Sequence, residues 1–212
     1  MDKERVDAQI KEISGNFPQG IIPPNILKFY NYLLSHTDKN YNLFSYETLT
    51  NGRHFLKNLI DESYLDEMIV LFINNSHDCY CSWVNDKRKK IDDLPVVYID
   101  TEGTEEVCAS NFLEFVFLFS KRLIPVLVPA WSDYLESQAG RSRLRAKNPN
   151  EYYTTITLHE MDINYSNESS EYEKFTEWFI EELGYRPIKS PVNIIEDAIK
   201  NNPRLRSYLN GI

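Results

Sequence analysis

The sequence predicts an α+β fold, with an antiparallel or mixed central sheet, helices packed on one side and a helical C-terminal extension. Three observations carry this. Short apolar or alternating segments succeed one another between Met68 and Ala109. What separates them is turn-forming or charged: Asn74-Asn75-Ser76, the stretch 85–93, and Thr101-Glu102-Gly103. Helical periodicity is confined to the segments before and after. Strands that follow one another through short turns pair as neighbours and leave the helices to form a separate layer.

The first helix is expected over 2–14, with Val6, Ile10 and Ile13 at spacings of four and three, and Gly15 ends it. A loop with three prolines follows over 17–24. Pro24 then opens a helix reaching about His36, since a proline in the first turn forfeits no helical hydrogen bond. Its apolar residues Ile26, Leu27, Phe29, Tyr30, Leu33 and Leu34 suit a face laid on a sheet. The stretch 38–66 reads as loop plus a short helix. Strands are expected at 68–74, 77–84, 95–100 and 105–109, the first a continuous apolar run and hence buried.

Ser110 is the expected N-cap of a helix carrying Phe112, Phe115, Val116 and Phe119. Pro125 and Pro129 end it. A short helix at 129–139, an exposed basic link at 140–150 and strand propensity at 152–159 follow. The best-marked helix has Ser170 and Glu173 at capping-box spacing, then Phe175, Trp178, Phe179 and Leu183, with Gly184 as C-cap. Ser190-Pro191 opens a helix striped by Ile194, Ile195, Ala198 and Ile199, and a final turn is expected at 204–209. Two units are expected: an α+β domain over 1–150 and a mainly helical extension over 151–212 packed on it.

Composition narrows the function classes. A chain of 212 residues can bury a full core. Its 42 % hydrophobic, 26 % charged and 13 % aromatic residues exclude disordered, collagen-like and low-complexity classes. Thirty-two acidic side chains against 23 basic give a formal charge of −9. That argues against nucleic acid as a partner, because neutralising phosphates needs a basic surface. Three cysteines form no disulfide framework and point to a reducing compartment. The N-terminal stretch has no apolar signal core. Glu114, Lys121 and Arg122 interrupt the most apolar stretch, 111–131, so no membrane span is expected and the protein reads as cytoplasmic.

Chemistry-bearing patterns are few. Neither GxGxxG, GxxxxGK(S/T) nor GxSxG occurs. Cys79 and Cys81, two apart on a strand, share a face with His77, which would suit a metal. No fourth ligand at a matching spacing accompanies them, and small apolar side chains on the core face explain the thiols equally well. His36, His54, His77 and His159 show no HExxH spacing and read as surface or capping residues. Asp92-Asp93 and Glu105-Glu106 are adjacent pairs whose side chains diverge on extended chain, and they read as solvated turns. No catalytic residue, metal site or cofactor is therefore assigned. Two basic runs, 87–90 and 141–147, read as exposed loops, with an acidic partner or nucleic acid as the sharper reading. The opposite feature spans 160–182, with eight acidic residues against Lys174. A solvated helix face accounts for it, and a dock for a basic protein is the functional alternative.

The middle of the chain resembles the SUKH superfamily, whose members include bacterial toxin-immunity proteins and fungal cell-wall regulators. The resemblance rests on Pro95-Val96 with Asp100, Glu102-Gly103, Val107, Ala109-Ser110, and Phe112 with Phe115, after an Ile22-Pro23-Pro24 entry to an aromatic-rich helix. It covers about residues 15–122. It implies a binding module without catalysis, most simply an immunity protein that covers a cognate toxin domain or another protein partner. A regulatory scaffold on the same fold and an enzyme whose site assembles only in space are the alternatives. On the charge argument, Glu168, Glu171, Glu173, Glu177 and Glu181 are the expected partner-binding residues.

Overall fold

The structure, a computed structural model, describes residues 3–36, 52–73, 77–101, 105–120, 169–186, 188–189 and 191–202, with the backbone alone for 169–173 and 192. The short helix expected at 129–139, the basic link, the strand at 152–159 and the turn at 204–209 lie outside the described residues.

Helix α1 spans Lys3–Ile13 and runs into a 3-10 turn at Ser14–Asn16. Helix α2, Pro24–Ser35, starts at its second proline as its fixed φ allows. The stretch read as loop plus short helix contains helix α3, Gly52–Leu56, and a 3-10 turn at Glu62–Glu67. Asp61 caps that turn by accepting from the Ser63 backbone N–H at 2.9 Å. Strands β1 (Met68–Ile73), β2 (Cys79–Trp83), β3 (Val96–Ile99) and β4 (Glu105–Ala109) form an antiparallel sheet in chain order. Helices α4 (Phe112–Ser120), α5 (Ser169–Leu183) and α6 (Pro191–Asn201) follow.

The cap of α4 differs from expectation by one residue. Asn111, not Ser110, accepts from the Glu114 N–H at 2.9 Å, and the Glu114 carboxylate reaches back to the Ser110 N–H at 3.0 Å. The reciprocal pairing is that of a capping box, with the carboxylate bonding one residue further back. Glu114 is buried as a result.

The α+β class is as read from the sequence, and the larger helical layer lies on one face. Ile69, Leu71, Phe72, Tyr80, Val96 and Tyr98 share a core with α1, α2, α4 and α5. The opposite face is also closed: Val70, Cys79, Cys81, Val97 and Ile99 pack with Leu56 of α3, Leu65 and Ala198 of α6. A strand as uniformly buried as β1 needs cover on both sides. The pairing register skips at Leu71 in β1 and at Cys108 in β4. Each skip turns two consecutive residues, Leu71 with Phe72 and Cys108 with Ala109, toward the thicker layer.

The thick core is a lattice of rings. Phe29, fully buried, meets Phe112 and Phe119 of α4 at 5.6 Å and Phe175 of α5 at 6.2 Å, all edge-on. Tyr30 beside it donates to the Leu71 carbonyl at 2.6 Å, and burial raises its phenol pKa. On the thin side α3 lies so close to β1 that a Cβ on Gly52 would stand 2.7 Å from Val70 Cγ1.

Two substitutions test this packing. Phe29→Ala should cost about 3–5 kcal/mol in denaturant unfolding, because its three edge-on ring contacts go and a cavity remains. Gly52→Ala should cost about 1–3 kcal/mol through overpacking. Adding Val70→Ala should recover part of that loss in a double-mutant cycle, whereas strict additivity would show that the close approach is not the cause.

Candidate functional site

The acidic region of the sequence is carried by α5. Its inner side is fixed by Phe175 and Phe179, four apart and fully buried. Trp178 is half-buried and stacks on Tyr32 of α2 at 4.3 Å, and Tyr32 stacks in turn on His36 at 4.2 Å. The C-terminal end is held twice. Lys28 donates to the Glu182 carbonyl at 2.7 Å and lies 3.7 Å from its carboxylate, placing a cation at the negative end of the helix dipole. Gly184, as expected, takes the left-handed conformation with φ +65° that ends the helix.

This frame turns Lys174, Glu177 and Glu181 to solvent. Of the five acids expected to bind a partner, Glu177 and Glu181 are thus exposed on one helix. Glu171 and Glu173 sit on the same helix and are described by backbone only, and Glu168 lies outside the described residues. Glu173, Glu177 and Glu181 occupy positions i, i+4 and i+8. Like charges at this spacing cost a helix a few tenths of a kcal/mol per pair, about 0.2–0.5. The buried pair Phe175 and Phe179 more than offsets that. The sequence did not reveal the Trp178–Tyr32–His36 stack, whose members come from two helices far apart in the chain.

A second feature missed in the sequence is an open groove of about 440 Å³ between α3 and the Glu62–Glu67 turn, lined by Arg53, His54, Lys57, Glu62, Leu65 and Asp66. Arg53 pairs with Asp66, and Lys57 with Glu62 at 2.9 Å, all four largely exposed. Exposed pairs of this kind contribute under about 1 kcal/mol each. The opposed charges balance, so the groove favours neither sign of ligand. The spacing of the partners, Arg53 to Lys57 and Glu62 to Asp66, was the available signal.

The cysteines are core residues. Cys79, Cys81 and Cys108 are free and fully buried. Burial pushes the Cys79 thiol up to about 12, with Asp78 adding to it. Burial raises Cys81 and Cys108 as well, disfavouring the thiolates at neutral pH. His77 stands outside the strand in a left-handed conformation, φ 69°, exposed, its ring 5.3 Å from Phe55. Among the described residues no three His, Cys, Asp or Glu side chains are placed to hold a metal ion.

The basic run 87–90 is exposed, as read. Arg88 is held by Asp86 at 2.9 Å, and hydrogen bonds from the guanidinium keep that carboxyl at about 2. The run 141–147 lies outside the described residues. Of the two adjacent acid pairs, Glu105-Glu106 departs from the turn reading. Both belong to β4, against which α6 packs, and Glu106 is only 9 % exposed. Asp92 and Asp93 do lie in a 3-10 turn, Ile91–Asp93, but Asp92 is half-buried. Its Oδ2 accepts from Asn25 at 3.0 Å, while Oδ1 is buried with no hydrogen-bond partner among the described residues. Among the described residues no helix is long and apolar enough to cross a membrane.

Burial raises the pKa of Asp92 above its ordinary 3.8, with Asp93 adding to the shift, and with the Asn25 hydrogen bond and Lys90 opposing it. A raised acid favours folding in its protonated form. Its contribution is therefore complete below the unfolded value and is lost as pH rises through the folded one. Asp92→Asn keeps an acceptor for Asn25 and removes the charge. Its unfolding free energy minus that of the wild type should grow from pH 3 upward and then level off. A difference flat with pH would refute the assignment.

Comparison with known proteins finds no matching family model, no matching curated protein and no matching solved structure.

Proposed function

We propose that this chain is a non-catalytic, cytoplasmic protein-binding module of the toxin-immunity kind, which neutralises a cognate toxin domain by covering it. The observation that carries the reading is the acidic stripe of α5. Glu177 and Glu181 stand exposed one helical turn apart, on a helix whose other side is anchored by Phe175 and Phe179. Self-repelling charge on a well-packed helix gives the fold nothing, so a local cost without a structural return favours a role in recognition. The chain's formal charge of −9 strengthens the field around it. A basic cleft, such as an enzyme acting on nucleic acid presents, is the complementary surface, and opposite charges accelerate encounter and exclude wrong partners. The resemblance to the SUKH superfamily adds the immunity role to this electrostatic argument.

The test is calorimetric titration with the C-terminal domain of the protein encoded immediately upstream. A dissociation constant in the nanomolar range, about −12 kcal/mol, is the expected result. Reversing Glu173, Glu177 and Glu181 to Lys together should weaken it by about a hundredfold and flatten its dependence on salt. The variant keeps its buried anchors and should remain folded. Unchanged affinity of the folded triple variant would displace the site from α5, and absence of any complex would remove the immunity reading.

A further inference from the structure

We propose that α1 is a strap that pivots about Ile13 and lifts off α2 while the sheet and the remaining helices stay folded. Three of its residues are buried, Val6, Gln9 and Ile13, at positions i, i+3 and i+7 of one stripe. The described elements on which α1 mainly packs are α2 and the 3-10 turn that follows it.

The two ends of the stripe are unequal. Ile13 is fully buried, and the Ser14 hydroxyl donates to the Lys11 carbonyl at 2.7 Å, fastening the last turn. Ahead of Gln9, Val6 is the single buried side chain among residues 3–8. Gln9 itself is 7 % exposed, and its Oε1 is buried with no hydrogen-bond partner among the described residues.

That oxygen sets the balance. In the closed state it has given up water and gained no donor. Lifted, it is solvated again. An unsatisfied buried amide lowers the closing equilibrium about tenfold or more. Val6 on one side of it and the partly buried Ile10 on the other supply the apolar burial that opposes this. A helix of eleven residues is too short to persist by itself, so the lifted turns unwind and their amides exchange with solvent. Opening is then a local event with its own free energy, well below that of global unfolding.

Hydrogen–deuterium exchange on the full chain reads this directly. The hydrogen-bonded amides of 7–10 should exchange at least tenfold faster than those of 11–13, and faster again than β1–β4. Low denaturant should leave their rates unchanged. Gln9→Leu should slow exchange at 7–10 about tenfold with the sheet unaffected, and Val6→Ala should speed it by a similar factor, again with the sheet unaffected. If residues 7–10 exchange at the rate of the sheet, or if Gln9→Leu folds normally and leaves their exchange unchanged, the strap is refuted. Should Gln9→Leu disturb the sheet as well, Val6→Ala decides. Protection lost in α1 alone supports the strap, and protection lost in α1 and sheet together overturns it.

Discussion

The edge-on meeting of four rings at Phe29 is the contact on which the other parts of the molecule depend. Phe29 belongs to α2, Phe112 and Phe119 to α4, and Phe175 to α5, so one buried side chain fixes three helices against each other. Edge-to-face geometry sets the positive rim of one ring against the negative face of another, which makes such contacts directional where aliphatic packing is not. Phe119 in turn meets Phe72 of β1, carrying the same lattice into the sheet. The angular position of α5, and with it the direction in which Glu177 and Glu181 point, follows from this junction.

The sheet answers to a different constraint. Both of its faces are buried, yet the layers covering them differ in bulk, with α1, α2, α4 and α5 on one side and α3, the Glu62–Glu67 turn and Ala198 of α6 on the other. The register skips at Leu71 and Cys108 reconcile the two by giving the thick side one more residue from each strand. On the thin side there is little room. Gly52 lets α3 approach Val70 where any side chain would clash, and the small thiols of Cys79 and Cys81 line the same face. The cysteines that could have been read as ligands are there as compact apolar groups whose burial disfavours their ionisation.

Several surface charges are handled locally. Arg88 with Asp86, Lys57 with Glu62, and Lys189 with Asp197 are neighbours in sequence that neutralise one another at the surface. The outward side of α5 differs, with Glu177 and Glu181 exposed one turn apart. Gln9 and Asp92 each bury a polar oxygen that has no donor among the described residues. One sits on the buried stripe of α1 and the other where α2 meets the β2–β3 connection.

By itself the sequence determined the four strands, the helices flanking them, the glycine that ends α5 and the acidic character of α5. Each is written in local periodicity and turn chemistry, which record which side chains avoid water within a single element. Tertiary structure alone decided what covers each surface. Glu106 on β4 is buried, not solvated, Asn25 engages Asp92 from another element, and Trp178 finds Tyr32 across the chain. The cover on the second face of the sheet belongs here too, as does the choice of Asn111 over its neighbour Ser110 as the cap of α4. The physical reason is common to all of these. An apolar stripe specifies that it must be buried, but its burying partner is chosen by shape and by packing among segments distant in the chain.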